Sequence, residues 1–246
     1  MFSFIWHTFF FDPVYNGLIF FIDILPDGDV GLAIIAITLL VKAVLLPLSL
    51  QAAATQRAMR QLEPKLKEIK ETHKDNREAQ ARAMLDLYKE SGVNPFASFL
   101  LLFIQIPIII SVYLAVMNGG GVALPSVNTD LLYRFVSVPE EISMLLFGAV
   151  DIAGKSAPLA FLAAFTQFIH AQLTIPKPKP RSPDAAPDFK EDFTRSMQTQ
   201  MRYVMPVIIF VVAYTISAAI ALYLLVSNLT MIAQEYYVKW RHEQSS

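Results

Sequence analysis

The chain alternates long apolar stretches with shorter polar ones. Residues 30–50 hold one charge, Lys42. The run 96–117 holds none, and 156–175 has none but the titratable His170. From Tyr203 to Gln234 the chain again lacks formal charge. A helix rises about 1.5 Å per residue and a bilayer core is about 30 Å thick, so about 20 apolar residues cross it. The first three runs each fit one span. The fourth is too long for one upright helix and tight for two.

The polar intervals carry their own patterns. Met59, Leu62, Leu66 and Ile69 recur at helical spacing, as do Met84, Leu87 and Tyr88, which predicts a helical hairpin over 53–95. Asp75 followed by Glu78 reads as a capping box that starts its second helix, and Gly92 with Asn94–Pro95 ends it. A solvated connector and a surface for membrane or partner contact both fit its thin apolar stripes. Residues 118–155 form a loop with a short apolar piece, Ile142–Val150. Five prolines between Pro176 and Pro187 keep 176–200 extended, as a semi-rigid linker. In residues 1–29, Asp12, Asn16 and Asp23 interrupt the apolar positions. An interfacial amphipathic helix is the preferred reading there, and a sixth span is the alternative.

Composition agrees. Hydrophobic residues make up 54% and charged residues 17%, against about 45–50% and 25% in soluble domains. The net charge of −1 says nothing about partners, but the placement of charge does. None of the 20 Lys and Arg precedes Val30, and Lys42 lies within the first apolar run. Nine lie between the first two runs: Arg57, Arg60, Lys65, Lys67, Lys70, Lys74, Arg77, Arg82 and Lys89. Arg134 and Lys155 follow the second run, six from Lys177 to Arg202 follow the third, and Lys239 and Arg241 close the chain. Basic loops stay cytoplasmic. The first and third connections are therefore expected inside and the second outside. Both ends of 203–234 are also inside, so that stretch must cross twice, turning near Ser217–Ala219.

The expected fold is an all-α integral membrane protein with five transmembrane helices around a hydrophilic groove. Its spans are 30–52, 96–117, 156–175, 201–217 and 218–238. Residues 1–29 lie on the external side, and the hairpin 53–95 and linker 176–200 are cytoplasmic. The N-terminus is outside, and the tail 239–246 is inside.

Lys42 is the candidate centre. A lysine in mid-span costs about 2.5–3.5 kcal/mol on insertion scales, and the apolar stretches hold no Asp or Glu to offset it. From mid-helix the interface is about 15 Å away, beyond the side chain's reach. Lys42 is thus expected to face water. Polar stripes on the other spans supply walls for such a groove. Thr38, Lys42 and Ser49 share one helical face; Gln105 is on the second span; Gln167, His170 and Thr174 share a face; and so do Tyr223, Ser227 and Gln234. Each alone reads more readily as an interhelical hydrogen-bonding residue; the set beside a buried cation is what points to a cavity.

With no cysteines, disulfides, thiolate metal sites and catalytic thiols are excluded. Neither a metal-binding histidine pair nor a phosphate-cradling glycine loop is present, so no metal, cofactor or enzymatic role is expected. No aromatic stacking platform accompanies the basic hairpin, which leaves ribosomal contact as its only nucleic-acid reading.

Several segments, taken together and in order, resemble the YidC/Oxa/Alb family of membrane protein insertases. They are Gly31–Gln51 (GLAIIAITLLVKAVLLPLSLQ), Met59–Pro64, Leu87–Pro95 (LYKESGVNP), Gln105–Pro107 (QIP) and Leu222–Asn228 (LYLLVSN). The family's cavity cation is usually an arginine at the position matching Lys42, with a threonine matching Thr38. Lysine keeps the charge without the forked donor geometry. Of an aromatic pair seen in some relatives, only Tyr223 is present, followed by Leu224. The resemblance implies an insertase and chaperone of the bacterial plasma membrane, with a groove open to cytosol and lipid. Its implied partners are nascent membrane proteins and the bilayer, then the ribosome and a Sec-type translocon. A small transporter or channel with Lys42 as anion site is the rival reading. A membrane assembly scaffold is the third.

Overall fold

The computed structural model describes residues 2–94, 97–118, 120–175 and 195–243. Most of the proline-rich linker lies outside them. The described residues are mostly helical. The chain divides into two compact units, one of Met1–Ala43 with Ile108–Ser246 and one of Val44–Pro107. Both crossings fall close to a proline inside a helix, Pro47 or Pro107, where an i→i−4 backbone bond is missing.

In the first unit, helix α1 (Phe2–Trp6) runs through a π turn, His7–Phe11, into α2 (Asp12–Ile24). Phe11, Val14, Tyr15, Leu18, Ile19 and Ile22 recur at helical spacing and are buried, while Phe4, Phe9, Phe20 and Ile24 are exposed. Gly17 lets α2 approach α3 (Val30–Thr72): a Cβ there would stand 2.5 Å from Ile37 Cδ1. Asn16, in sequence an interruption of the apolar pattern, is buried. Its amide donates to Leu131 O (2.9 Å) and its oxygen accepts from the Tyr133 N–H (2.6 Å). Tyr15 Oη accepts from the Asn128 N–H (2.8 Å), and burial raises this phenol's pKa.

The loop after α5 (Ala97–Met117) closes on a two-strand antiparallel hairpin, β1 (Leu145–Leu146) and β2 (Val150–Asp151), pairing Leu145 with Asp151 and Leu146 with Val150. Helix α6 (Ala157–Thr174) follows, N-capped by Ser156. The chain is helical again from Arg195, passes a π turn at Gln200–Val204, and continues as α7 (Met205–Ile216). Ser217 alone is extended before α8 (Ala218–Glu243). Helices α6 and α8 pack together, with Asn228 Nδ2 donating to Ala163 O (3.1 Å). Buried Arg202 donates to Ile175 O at the C-terminal end of α6, where a cation suits the helix dipole.

In the second unit, α3 continues helical to Thr72 and α4 spans Arg77–Glu90. The sequence marks Asp75 as the cap of α4, but the structure uses Asn76. Its extended backbone lets Oδ1 accept the Ala79 N–H at 3.0 Å. Glu78, free of any capping duty, pairs with Arg82 at 2.7 Å on the exposed face. Gly92, at φ +63°, follows α4 in the left-handed conformation that commonly ends helices.

Three helical stretches among the described residues are long and apolar enough to cross a membrane: Val30–Thr72, Arg195–Ile216 and Ala218–Trp240. A shorter apolar stretch lies at Phe103–Met117. Leu39, Leu40, Phe103, Phe161, Phe165, Val207 and Val211 are exposed on these helices and on α6. So much exposed apolar surface is what lipid contact requires of a membrane protein.

Candidate functional site

Lys42 lies on α3 and points its ammonium at α8, with Nζ 3.7 Å from Met231 Sδ. A thioether is a weak acceptor, and the contact fixes where the ammonium lies against α8. Thr38, one turn earlier on the same face, is buried and its hydroxyl donates to Ile34 O at 2.6 Å. That proton is committed within the helix, and only oxygen lone pairs remain to present elsewhere.

On α8, Tyr223, Ser227 and Met231 follow one another at four-residue intervals, a spacing that aligns them on one face. Tyr223 is 1% exposed and Ser227 5%. The face that receives Lys42 is therefore the one carrying both polar residues. Gln167 and His170 are half-buried on α6. His170 lies within electrostatic reach of both Lys42 and Glu235. Ser49 and Gln105 belong to the second unit instead, where Ser49 donates to Leu46 O at 2.9 Å.

The structure thus joins Lys42 to Met231 by contact, and His170 lies near enough to both Lys42 and Glu235 to feel their opposite charges. Thr38, Tyr223 and Ser227 occupy the faces that carry this cluster. Met231 and Glu235 are the two members that sequence reasoning passed over. Met231 reads as one more apolar residue of a span. Glu235 stands just past the uncharged stretch, but α8 continues beyond it. Four-residue spacing from Tyr223 through Ser227 and Met231 to Glu235 is the signal that would have found both. Among the described residues, no group of three His, Asp or Glu side chains could hold a metal ion.

The arrangement offers one cation, hydroxyl and amide dipoles, and a carboxylate one helical turn beyond Met231. It can attract and orient a charged or polar segment.

Comparison with known proteins places the chain. The family described as 60Kd inner membrane protein matches residues 21–245. Proteins named "Membrane protein insertase YidC" from Francisella tularensis subsp. novicida (strain U112) and subsp. tularensis (strain WY96-3418) are each 44% identical to it over 92 residues. The shared segment is 37% of this chain and 17% of each relative, so the chain matches about a sixth of those proteins' length. The family match, in contrast, extends over nearly all of the sequence, and the chain belongs to the 60Kd inner membrane protein family, the YidC/Oxa/Alb family.

Proposed function

We propose that the protein is a membrane protein insertase and chaperone. It draws a short hydrophilic segment of a substrate into a polar cluster centred on Lys42 and releases the substrate's apolar helix into lipid. The observation that carries this reading is the cation on α3 meeting the face of α8 that holds Tyr223 and Ser227. The names of the 44%-identical relatives support it. The proposed topology has five spans, the N-terminus outside and the C-terminus inside, and rests on the distribution of Lys and Arg. The basic hairpin 53–95 is proposed as the first contact for substrate or ribosome.

The energetics suit transient capture. A carboxylate about 4 Å from Lys42 gains about 1 kcal/mol in water and about 4 at an effective dielectric near 20. That recruits a tail without trapping it. An outside-positive potential then favours outward movement of each negative charge by about 2.3 kcal/mol per 100 mV.

The test is insertion of a single-span substrate with a short acidic N-tail into liposomes holding only this protein. Lys42→Arg should retain insertion and Lys42→Glu should abolish it. Lys42→Ala should fall between them, because Gln167, Tyr223 and Ser227 remain. A basic tail should partly rescue the Glu variant. Equal insertion of acidic and neutral tails by folded wild-type and Ala proteins would remove charge recruitment. Solute or ion flux without insertion would favour a transporter.

A further inference from the structure

The β1–β2 hairpin has an unusual outer side. Leu146 points inward: a Cβ on Gly31 would lie 2.6 Å from its Cδ1, so it packs over the first turn of α3. Alternation along the strand turns Leu145 outward, and Phe147 follows in the turn at the tip. In a hairpin facing water those positions would be polar. Here they are Leu145, 44% exposed, and Phe147, 73% exposed.

Phe147 is also held where a bulky side chain is disfavoured. Its φ is +51°, in the left-handed region, and glycine already occupies the next position at φ +69°. The conformation is fixed by Asp29, whose Oδ2 accepts the Phe147 N–H at 2.8 Å while Oδ1 accepts the Leu32 N–H at 3.0 Å. An exposed aromatic residue kept in a strained backbone points to a use for the ring.

The hairpin's level in the molecule is set by backbone bonds to the starts of two apolar helices. Val30 N–H, at the start of α3, donates to Ser143 O at 3.0 Å. Ala218 and Ala219, at the start of α8, donate to Gly154 O (2.8 Å) and Ile152 O (3.0 Å). Both helices are long and apolar enough to span a membrane, and a span begins at the interface. The hairpin therefore stands at the height of the lipid headgroups.

We infer that the β1–β2 tip is a membrane anchor: Phe147, with Leu145 beside it, dips into the headgroup and upper acyl layer at the end of the molecule where α3 and α8 begin. Asp151, across from Leu145 and exposed, limits the insertion to that shallow layer. In the surrounding loop Glu140, Glu141 and Asp151 outnumber Arg134 and Lys155, so the anchor is apolar and does not depend on anionic lipid. The inference rests on α3 and α8 as spans and holds whether or not the protein inserts substrates.

The absence of cysteine in the chain permits a clean test. A bimane probe on Ala149→Cys, at the hairpin turn with Phe147 intact, is compared with one on Glu140→Cys in full-length protein reconstituted in phosphatidylcholine vesicles. Lipids carrying a nitroxide high on the acyl chain should quench the Ala149 probe about threefold more than the Glu140 probe. Iodide should show the reverse order. Adding anionic lipid should change neither. Introducing Phe147→Gly in the Ala149→Cys protein should remove most of the lipid quenching while thermal unfolding stays equal or improves, since glycine relieves the positive φ. Iodide reaching both probes alike would overturn the anchor. Shielding from iodide without lipid quenching would overturn it in favour of a covering protein. Unchanged quenching in the Phe147→Gly variant would show that the ring is not the anchor.

Discussion

The connection between α5 and α6 and the hairpin 53–95, built from the C-terminal part of α3 and from α4, are of similar length and opposite construction. The first contains little regular structure, yet Asn16, Tyr15, Asp29 and the N–H groups of Val30, Ala218 and Ala219 bind its backbone to the helices beneath. The second is almost entirely helical, yet α4 buries none of its residues. Its order is local: a cap at Asn76, an exposed Glu78–Arg82 pair, and Leu62 and Leu66 as the buried part of one stripe. Regular secondary structure and firm attachment are thus separate properties. Irregular backbone needs external partners for its polar groups, and those partners fix it. A helix satisfies its own and gains no such tether.

Substitutions can probe this contrast in order of expected size. Asp29→Ala strands two N–H groups in a part-buried site and should destabilise the protein by about 3 kcal/mol, read as a lowered midpoint of thermal unfolding in detergent. Leu66→Ala should cost about 2 kcal/mol of hairpin stability. Hydrogen exchange should quicken in 53–90 and stay unchanged at the bonds around Asp29. If exchange quickens equally in both places, the two regions unfold together and the contrast fails. Glu78→Ala removes a largely exposed pair and should change stability by no more than about 0.5 kcal/mol. A larger loss would mean that α4 depends on that pair rather than on its cap.

Parts of this were legible in the sequence and parts were not, for definite reasons. Helical character and membrane residence follow from long uncharged stretches, because lipid forces the backbone to satisfy itself within each segment. Lys42 stood out because a charge in such a stretch is rare. Asn16 and Asp29 did not stand out as anchors. Their partners are backbone N–H and C=O groups of residues 115 to 118 positions away, and backbone groups leave no mark in a sequence. The capping-box spacing points to Asp75, but the chain is still turning there and becomes extended only at Asn76. Glu235 is not marked as a site residue because it follows the uncharged stretch directly and reads as its polar flank, whereas the helix carries it on past Met231.

The bonds of α8 also bear on how this protein is made. Asn228 reaches the carbonyl of Ala163 and the hydroxyl of Thr166, Ala218 and Ala219 reach the loop carbonyls of Gly154 and Ile152, and Met231 receives Lys42. In every case α8 is synthesised after the partner it binds. At about 5–20 residues per second, translation of its 26 residues takes on the order of seconds. Throughout that interval the earlier helices sit in the membrane with these partners missing, so biogenesis includes a stage at which the bundle is threaded but not closed.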